Sequence, residues 1–122
     1  MIHEEICTYE VCKLAKEKGF NEKCYHYYQK GVLESDKCFN RYNKGVDNVC
    51  SAPTQSLLQR WLREEKGYYV YPFFDNEELK WTFVIREKTG ERWIPLAGET
   101  PYFSEYKKAV EAGLACCLKR IE

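Results

Sequence analysis

At 122 residues the chain has room for one domain with one modest core, which excludes a second independently folded unit. Hydrophobic residues make up 44% and charged residues 31%, a globular balance that excludes intrinsic disorder. Lys+Arg 19 offsets Asp+Glu 19, so the whole molecule exerts no long-range field on polyanions, membranes or basic partners, and any charged recognition has to be local.

In chain order, Val11, Leu14 and Ala15 recur at helical spacing over residues 8–18, with Thr8 placed to cap the first turn and Gly19 to end the helix. The run Cys24, Tyr25, His26, Tyr27, Tyr28 is rich in strand formers, and Lys30-Gly31 ahead of Val32-Leu33 predicts a hairpin. Residues 34–50 hold Asp36, Asn40, Asn43, Gly45, Asp47 and Asn48 among scattered Phe39, Tyr42 and Val46. Neither period dominates, and the stretch reads as a long irregular connection. Ser51-Ala52-Pro53 is expected to open a second helix, because proline suits a first turn, and Leu57, Leu58, Trp61 and Leu62 form its apolar stripe up to Gly67.

Residues 68–74 then alternate Tyr69, Tyr71 and Phe73 against Tyr68, Val70 and Phe74, and Asp75-Asn76-Glu77-Glu78 reads as a turn. Trp81, Phe83 and Ile85 alternate with Thr82, Val84 and Arg86; Lys88-Thr89-Gly90 turns the chain, and residues 92–96 return, completing an antiparallel meander. Ser104 is expected to cap a last helix in which Tyr106, Val110, Gly113, Leu114, Cys117, Leu118 and Ile121 recur every three or four residues. The order predicts one α+β domain over residues 1–122. An antiparallel β-sheet carries helices packed on one face (an α-β-β-β-α core over 51–122), preceded over 1–50 by a short helix, a β-hairpin and the irregular loop.

The seven cysteines, Cys7, Cys12, Cys24, Cys38, Cys50, Cys116 and Cys117, are odd in number and cannot close a complete disulfide framework. Their spacings lack the paired C-x2-C signature of structural zinc, so no metal and no cofactor are expected, and reduced thiols filling core space are. The acidic start Met1-Ile2-His3-Glu4-Glu5-Ile6 differs from the basic start of a secretory signal, and no apolar run approaches a membrane span. The expected compartment is the cytoplasm, with no membrane partner.

Two blocks, Ala52-Pro53-Thr54-Gln55-Ser56-Leu57-Leu58-Gln59-Arg60-Trp61-Leu62-Arg63-Glu64 and Tyr106-Lys107-Lys108-Ala109-Val110-Glu111-Ala112-Gly113-Leu114, join Lys16-Glu17-Lys18-Gly19-Phe20-Asn21-Glu22 in a familiar pattern. With them the chain resembles a family of small proteins of gut anaerobic bacteria and their phages. That resemblance implies a prophage or mobile-element accessory protein. It carries over no activity and no catalytic residues. Lys107-Lys108 depart from the acidic residues that the family pattern has there.

Nucleophilic catalysis has one candidate by spacing, Cys24 with His26 on one strand face, but same-face neighbours stand about 6 to 7 Å apart, too far for a direct hydrogen bond. The carboxylate pairs Glu64-Glu65 and Glu77-Glu78 sit where solvated helix and turn charges belong, and no glycine-rich phosphate loop, G-x-S-x-G elbow or H-E-x-x-H helix occurs. A non-enzymatic interaction protein is therefore expected. Its surface would be an aromatic sheet face centred on Tyr69, Tyr71 and Trp81, completed by a protein partner or a second copy of the chain. The alternative is a double-stranded nucleic-acid binding module: the helix, three strands, helix order is that of double-stranded RNA-binding domains, and Lys107 and Lys108 fall at the start of the last helix where phosphate contacts would lie. The zero net charge weighs against it.

Overall fold

The computed structural model describes residues 2–35, 43, 48–96, 98 and 100–122. Among the described residues, three α-helices and two antiparallel three-stranded sheets make an α+β fold. Helix α1 spans Tyr9–Glu17; Thr8 caps it by accepting from the Val11 N–H, and Gly19, at φ 96°, ends it in the left-handed region. Strands β1 (His26–Gln29) and β2 (Val32–Ser35) form the expected hairpin. Its two-residue turn, Lys30 at φ 51° and Gly31 at φ 78°, has the positive φ pair of a type I′ turn, whose twist matches that of the strands it joins.

The hairpin does not extend the meander. Strand β1 pairs on its other side with β3 (Val49–Ala52), giving a separate sheet of order β2-β1-β3. Ser51 and Ala52, expected to open a helix, are strand residues instead, and Pro53 lies ahead of the cap. Helix α2 runs Gln55–Trp61, with Thr54 accepting from the Leu57 N–H. It passes into a wide π-type turn over Leu62–Lys66 that Gly67 closes at φ 73°, its N–H donating to the Leu62 carbonyl. Most of the expected irregular connection, residues 36–42 and 44–47, lies outside the described residues. Within it Asn43 is pinned, donating to the Phe20 carbonyl at 2.7 Å and accepting from the Ser51 N–H at 2.9 Å.

The second sheet holds β4 (Tyr68–Asp75), β5 (Lys80–Thr89) and β6 (Arg92–Pro95) in order β4-β5-β6. Asp75 Oδ1 accepts from the N–H groups of Glu77 and Glu78, shaping the β4–β5 turn. Helix α3 (Tyr106–Lys119) follows. Its N-cap is Glu105 rather than Ser104, and no side chain caps it. Helix α3 lies against β4 and β5 on one side and against α1 and α2 on the other, while α1 also packs on β3. The helices thus separate the two sheets. The core they share contains Trp61, Leu62, Val110, Leu114 and Leu118, as the apolar periods predict, together with Leu58, Phe20, Val70, Phe83 and Ile85; Leu57 is only partly buried at its margin.

One polar interlock ties the three helices. The Thr8 N–H and hydroxyl donate to Glu111 Oε2 at 3.1 and 2.7 Å, and the buried Gln55 donates to Glu111 Oε1 and to the Lys107 carbonyl, both at 3.0 Å. A mid-helix carboxylate on α3 therefore serves the starts of α1 and α2, whose N-terminal N–H groups favour negative charge.

Candidate interaction surface

Register decides which side chains share a face of the β4–β6 sheet. Val70 pairs with Ile85, Pro72 with Phe83 and Phe74 with Trp81, and these residues face α3 or its rim. The opposite face carries Tyr69, Tyr71, Phe73 and Asp75 from β4, Lys80, Thr82, Val84, Arg86 and Lys88 from β5, and Trp93 and Pro95 from β6, since side chains alternate along each strand and directly paired residues share a side. Tyr69 and Tyr71 therefore stand together as expected, with ring centroids 4.7 Å apart, whereas the pleat sends Trp81 to the other side. There Trp81 meets Phe74 and Tyr106 edge-on, at 5.1 and 5.0 Å.

On the outer face Tyr69 also meets Trp93 edge-on at 6.1 Å, so the rings run across the sheet from β6 to β4. Phe73, at the far end, is 51% exposed. Three cations lie beside these rings: Arg63, from the π-type turn, 5.8 Å from the Tyr69 centroid, Arg86 5.9 Å from Tyr71, and Lys88 6.0 Å from Trp93. Arg86 is fixed across all three strands, because its Nε donates to the Tyr71 hydroxyl at 2.9 Å and its Nη1 to the Trp93 carbonyl at 3.4 Å. Among the described residues, the ion pairs Arg60–Glu64 and Lys108–Glu105 involve none of these three cations. The turn that carries Arg63 reaches one end of this face; at the other, Thr82, the register partner of Phe73, is buried and its hydroxyl bonds Thr100 and the Pro101 carbonyl, while the Tyr102 hydroxyl donates to Asp75.

The free edge of β4 is managed separately. The Val70 carbonyl points outward and accepts from Gln59 Nε2 at 3.0 Å, and two residues on, Pro72 has no N–H to offer at the corresponding outward position. Strand addition at this edge is blunted.

No family model, curated protein or solved structure matches this chain.

Lys107 and Lys108 are exposed at the start of α3. Lys108 is held by Glu105 at 3.1 Å, while Lys107 lines a cleft of about 580 Å³ with Ile2, His3, Gln59, Tyr106 and Val110. These lysines lie near Trp81 through Tyr106 and belong to a different part of the surface from Tyr69 and Tyr71.

The remaining chemistry-bearing groups are arranged for packing. Cys24 is 2% exposed, and burial pushes its thiol up to about 12, the opposite of what a nucleophile needs at neutral pH. His26 stacks edge-on against Tyr25 at 5.1 Å. Cys7 is held well above the ordinary thiol value by its hydrogen bond with Cys12 and by burial, and burial raises Cys117 to about 12. Among the described residues, no three His, Cys, Asp or Glu side chains come together to hold a metal ion, and no helix is long and apolar enough to cross a membrane.

Proposed function

We propose that the protein is a small non-enzymatic interaction protein of the accessory kind carried by prophages and mobile elements, and that it engages its partner in the cytoplasm through the outer face of the β4–β6 sheet. The observation that carries this reading is the row Trp93, Tyr69, Tyr71 and Phe73, half-buried along its length and open at Phe73, between the turn that carries Arg63 and the residues 100–102 that close over Thr82. Tyrosine and tryptophan suit such a surface because each offers a large rigid ring and a polar tip at low entropic cost.

The three cations support one kind of partner over another. Twofold self-association through this face would bring two clusters of Arg63, Arg86 and Lys88 into one interface, with Asp75, at the far end opposite Lys80, as the acidic side chain of the face among the described strand residues. An anionic partner removes that repulsion. The double-stranded nucleic-acid reading is favoured by the succession of α2, β4, β5, β6 and α3 with Lys107 and Lys108 opening the last helix. It has weaker support, because Lys108 is already paired with Glu105.

A photo-crosslinking residue placed at Phe73, with the same residue at the exposed Glu10 of α1 as control, tests the surface in living cells. Discrete adducts at position 73 and none at position 10 are the expected result. Identical patterns at the two positions would overturn the assignment of this face.

A further inference from the structure

We propose that the outer face of the β4–β6 sheet binds single-stranded nucleic acid, with bases stacking on Phe73 and Trp93 and phosphates held by Arg63, Arg86 and Lys88. This deepens, and rests on, the reading of that face as the protein's contact surface.

Sequence-tolerant single-strand binding needs aromatic faces for bases to stack on, cations at a rim for the phosphates, and a support stiff enough to hold both. The sheet supplies the support. Tyr69 and Tyr71 lie against each other at 4.7 Å between centroids, which leaves the rings at the two ends of the row, Phe73 and Trp93, to take bases. Phe73 has no aromatic partner and no cation over its ring among the described residues, so it is open to a base. Trp93 stands at the other end of the row with Lys88 Nζ 6.0 Å from its centroid, so a base at Trp93 would bring its phosphate beside that cation.

Charge complementarity selects the partner's chemistry. The molecule is neutral as a whole, yet this face gathers Arg63, Arg86 and Lys88 with none of them in an ion pair among the described residues. Lys80 stands opposite Asp75 in the ladder, and Asp75 accepts from two turn N–H groups and the Tyr102 hydroxyl. What remains is a local surplus of positive charge interleaved with rings. The Arg86 guanidinium is already oriented by Tyr71 and Trp93, so little side-chain freedom remains to be lost on binding. An acidic peptide would answer the charges but offers no row of flat faces to match the rings. A duplex offers phosphates while keeping its bases stacked inside. An unpaired strand answers both.

The test is fluorescence anisotropy with labelled oligo(dT) and oligo(U) of about twelve nucleotides against the full chain. Neutralising three phosphates at a single-strand slope near −0.7 each makes the affinity fall about a hundredfold as monovalent salt rises tenfold from about 20 mM. Phe73→Ala is expected to weaken binding about 5- to 100-fold, from the usual worth of one base–aromatic stack. Lys88→Glu should weaken it and flatten the salt dependence, and Lys107→Glu/Lys108→Glu should leave it unchanged. All four positions are exposed, and an unchanged melting temperature shows that each variant is folded. A duplex of equal length should bind more weakly than either single strand. No binding at low salt, tighter binding of duplex, or binding lost with Lys107 and Lys108 rather than with Phe73 would overturn the inference. If oligonucleotides fail to bind while position 73 still crosslinks to a protein in cells, the surface stands and its occupant is a protein. If position 73 gives no specific adduct at all, the surface reading fails with it.

Discussion

Gly113 sits in the middle of α3, where an ordinary exposed glycine would gain about 1 kcal/mol of stability on replacement by alanine. Here a Cβ would stand 2.8 Å from Val70 Cγ2, 2.9 Å from Phe83 Cγ and 3.0 Å from Phe83 Cβ. Val70 is 0% exposed and Phe83 4%, and both are anchored in paired strands, so neither neighbour is a flexible side-chain end that can swing away. Overpacking of this kind costs about 1 to 3 kcal/mol, and three contacts at or below 3.0 Å put the cost in the upper part of that range. After the helix gain is subtracted, Gly113→Ala should lose about 1 to 2 kcal/mol. With an unfolding entropy of about 2.1 cal/mol/K per residue over 122 residues, 1 kcal/mol corresponds to about 4 °C, so the melting temperature should fall by about 4 to 8 °C. Thermal and urea unfolding measure it. In a Val70→Ala background the space vacated by the two methyls should relieve the Val70 part of the clash while the Phe83 contacts remain, and a double-mutant cycle should show favourable coupling. A Gly113→Ala variant that melts higher than the parent, as an exposed helical glycine would, refutes the close approach of α3 to the sheet.

Three further outcomes follow from the packing. Glu111→Ala should cost about 1 to 3 kcal/mol in urea unfolding, because it strips the Thr8 N–H and the buried Gln55 amide of a charged acceptor, and Gln55→Ala should cost less in that background than alone, the bond to the Lys107 carbonyl being what is left to lose. Trp61→Ala should cost about 3 to 5 kcal/mol, since the indole is 7% exposed and packs edge-on against Phe20 at 5.3 Å; unchanged melting would make Trp61 peripheral. Stability should also decline at alkaline pH. Burial raises Cys24 and Cys117 from 9.0 to about 12 and Tyr28 from 10.0 to about 12, so between those limits the unfolded chain releases protons that the native state keeps. The melting temperature should be level below about pH 8 and fall progressively from pH 9 to 12, with Cys24→Ala reducing the slope.

Elements whose local chemistry and packing agree were legible from the residues alone. The period of α3, the Thr8 cap of α1 and the Lys30-Gly31 turn each carry a short-range signal that the fold keeps. Strand β3 was not, because Cys50, Ser51 and Ala52 have little intrinsic strand preference and are drawn into the sheet by β1. The aromatic face was half legible. Tyr69 and Tyr71 share a side by alternation alone, but placing Trp81 requires the β4–β5 register. Because Asp75 pairs with Lys80, odd-numbered residues of β4 face even-numbered residues of β5, and odd-numbered Trp81 falls on the opposite side from Tyr69. The contributions of Trp93, Arg63, Arg86 and Lys88 depend on two registers and a helix end, none of which leaves a local mark. Glu111 was invisible for the same reason, its partners lying 103 and 56 residues away.

The most direct measurement of the outer face as the contact surface is a two-dimensional NMR titration of the labelled protein with unlabelled oligo(dT). Shifts should concentrate at the amides of Tyr69, Tyr71, Phe73, Val84, Arg86, Lys88 and Trp93 and at the Trp93 indole, while Lys107, Lys108 and the Trp81 indole stay in place. Shifts centred on residues 105–108, or no shift anywhere on the face with either the oligonucleotide or the partner recovered by crosslinking, would contradict it.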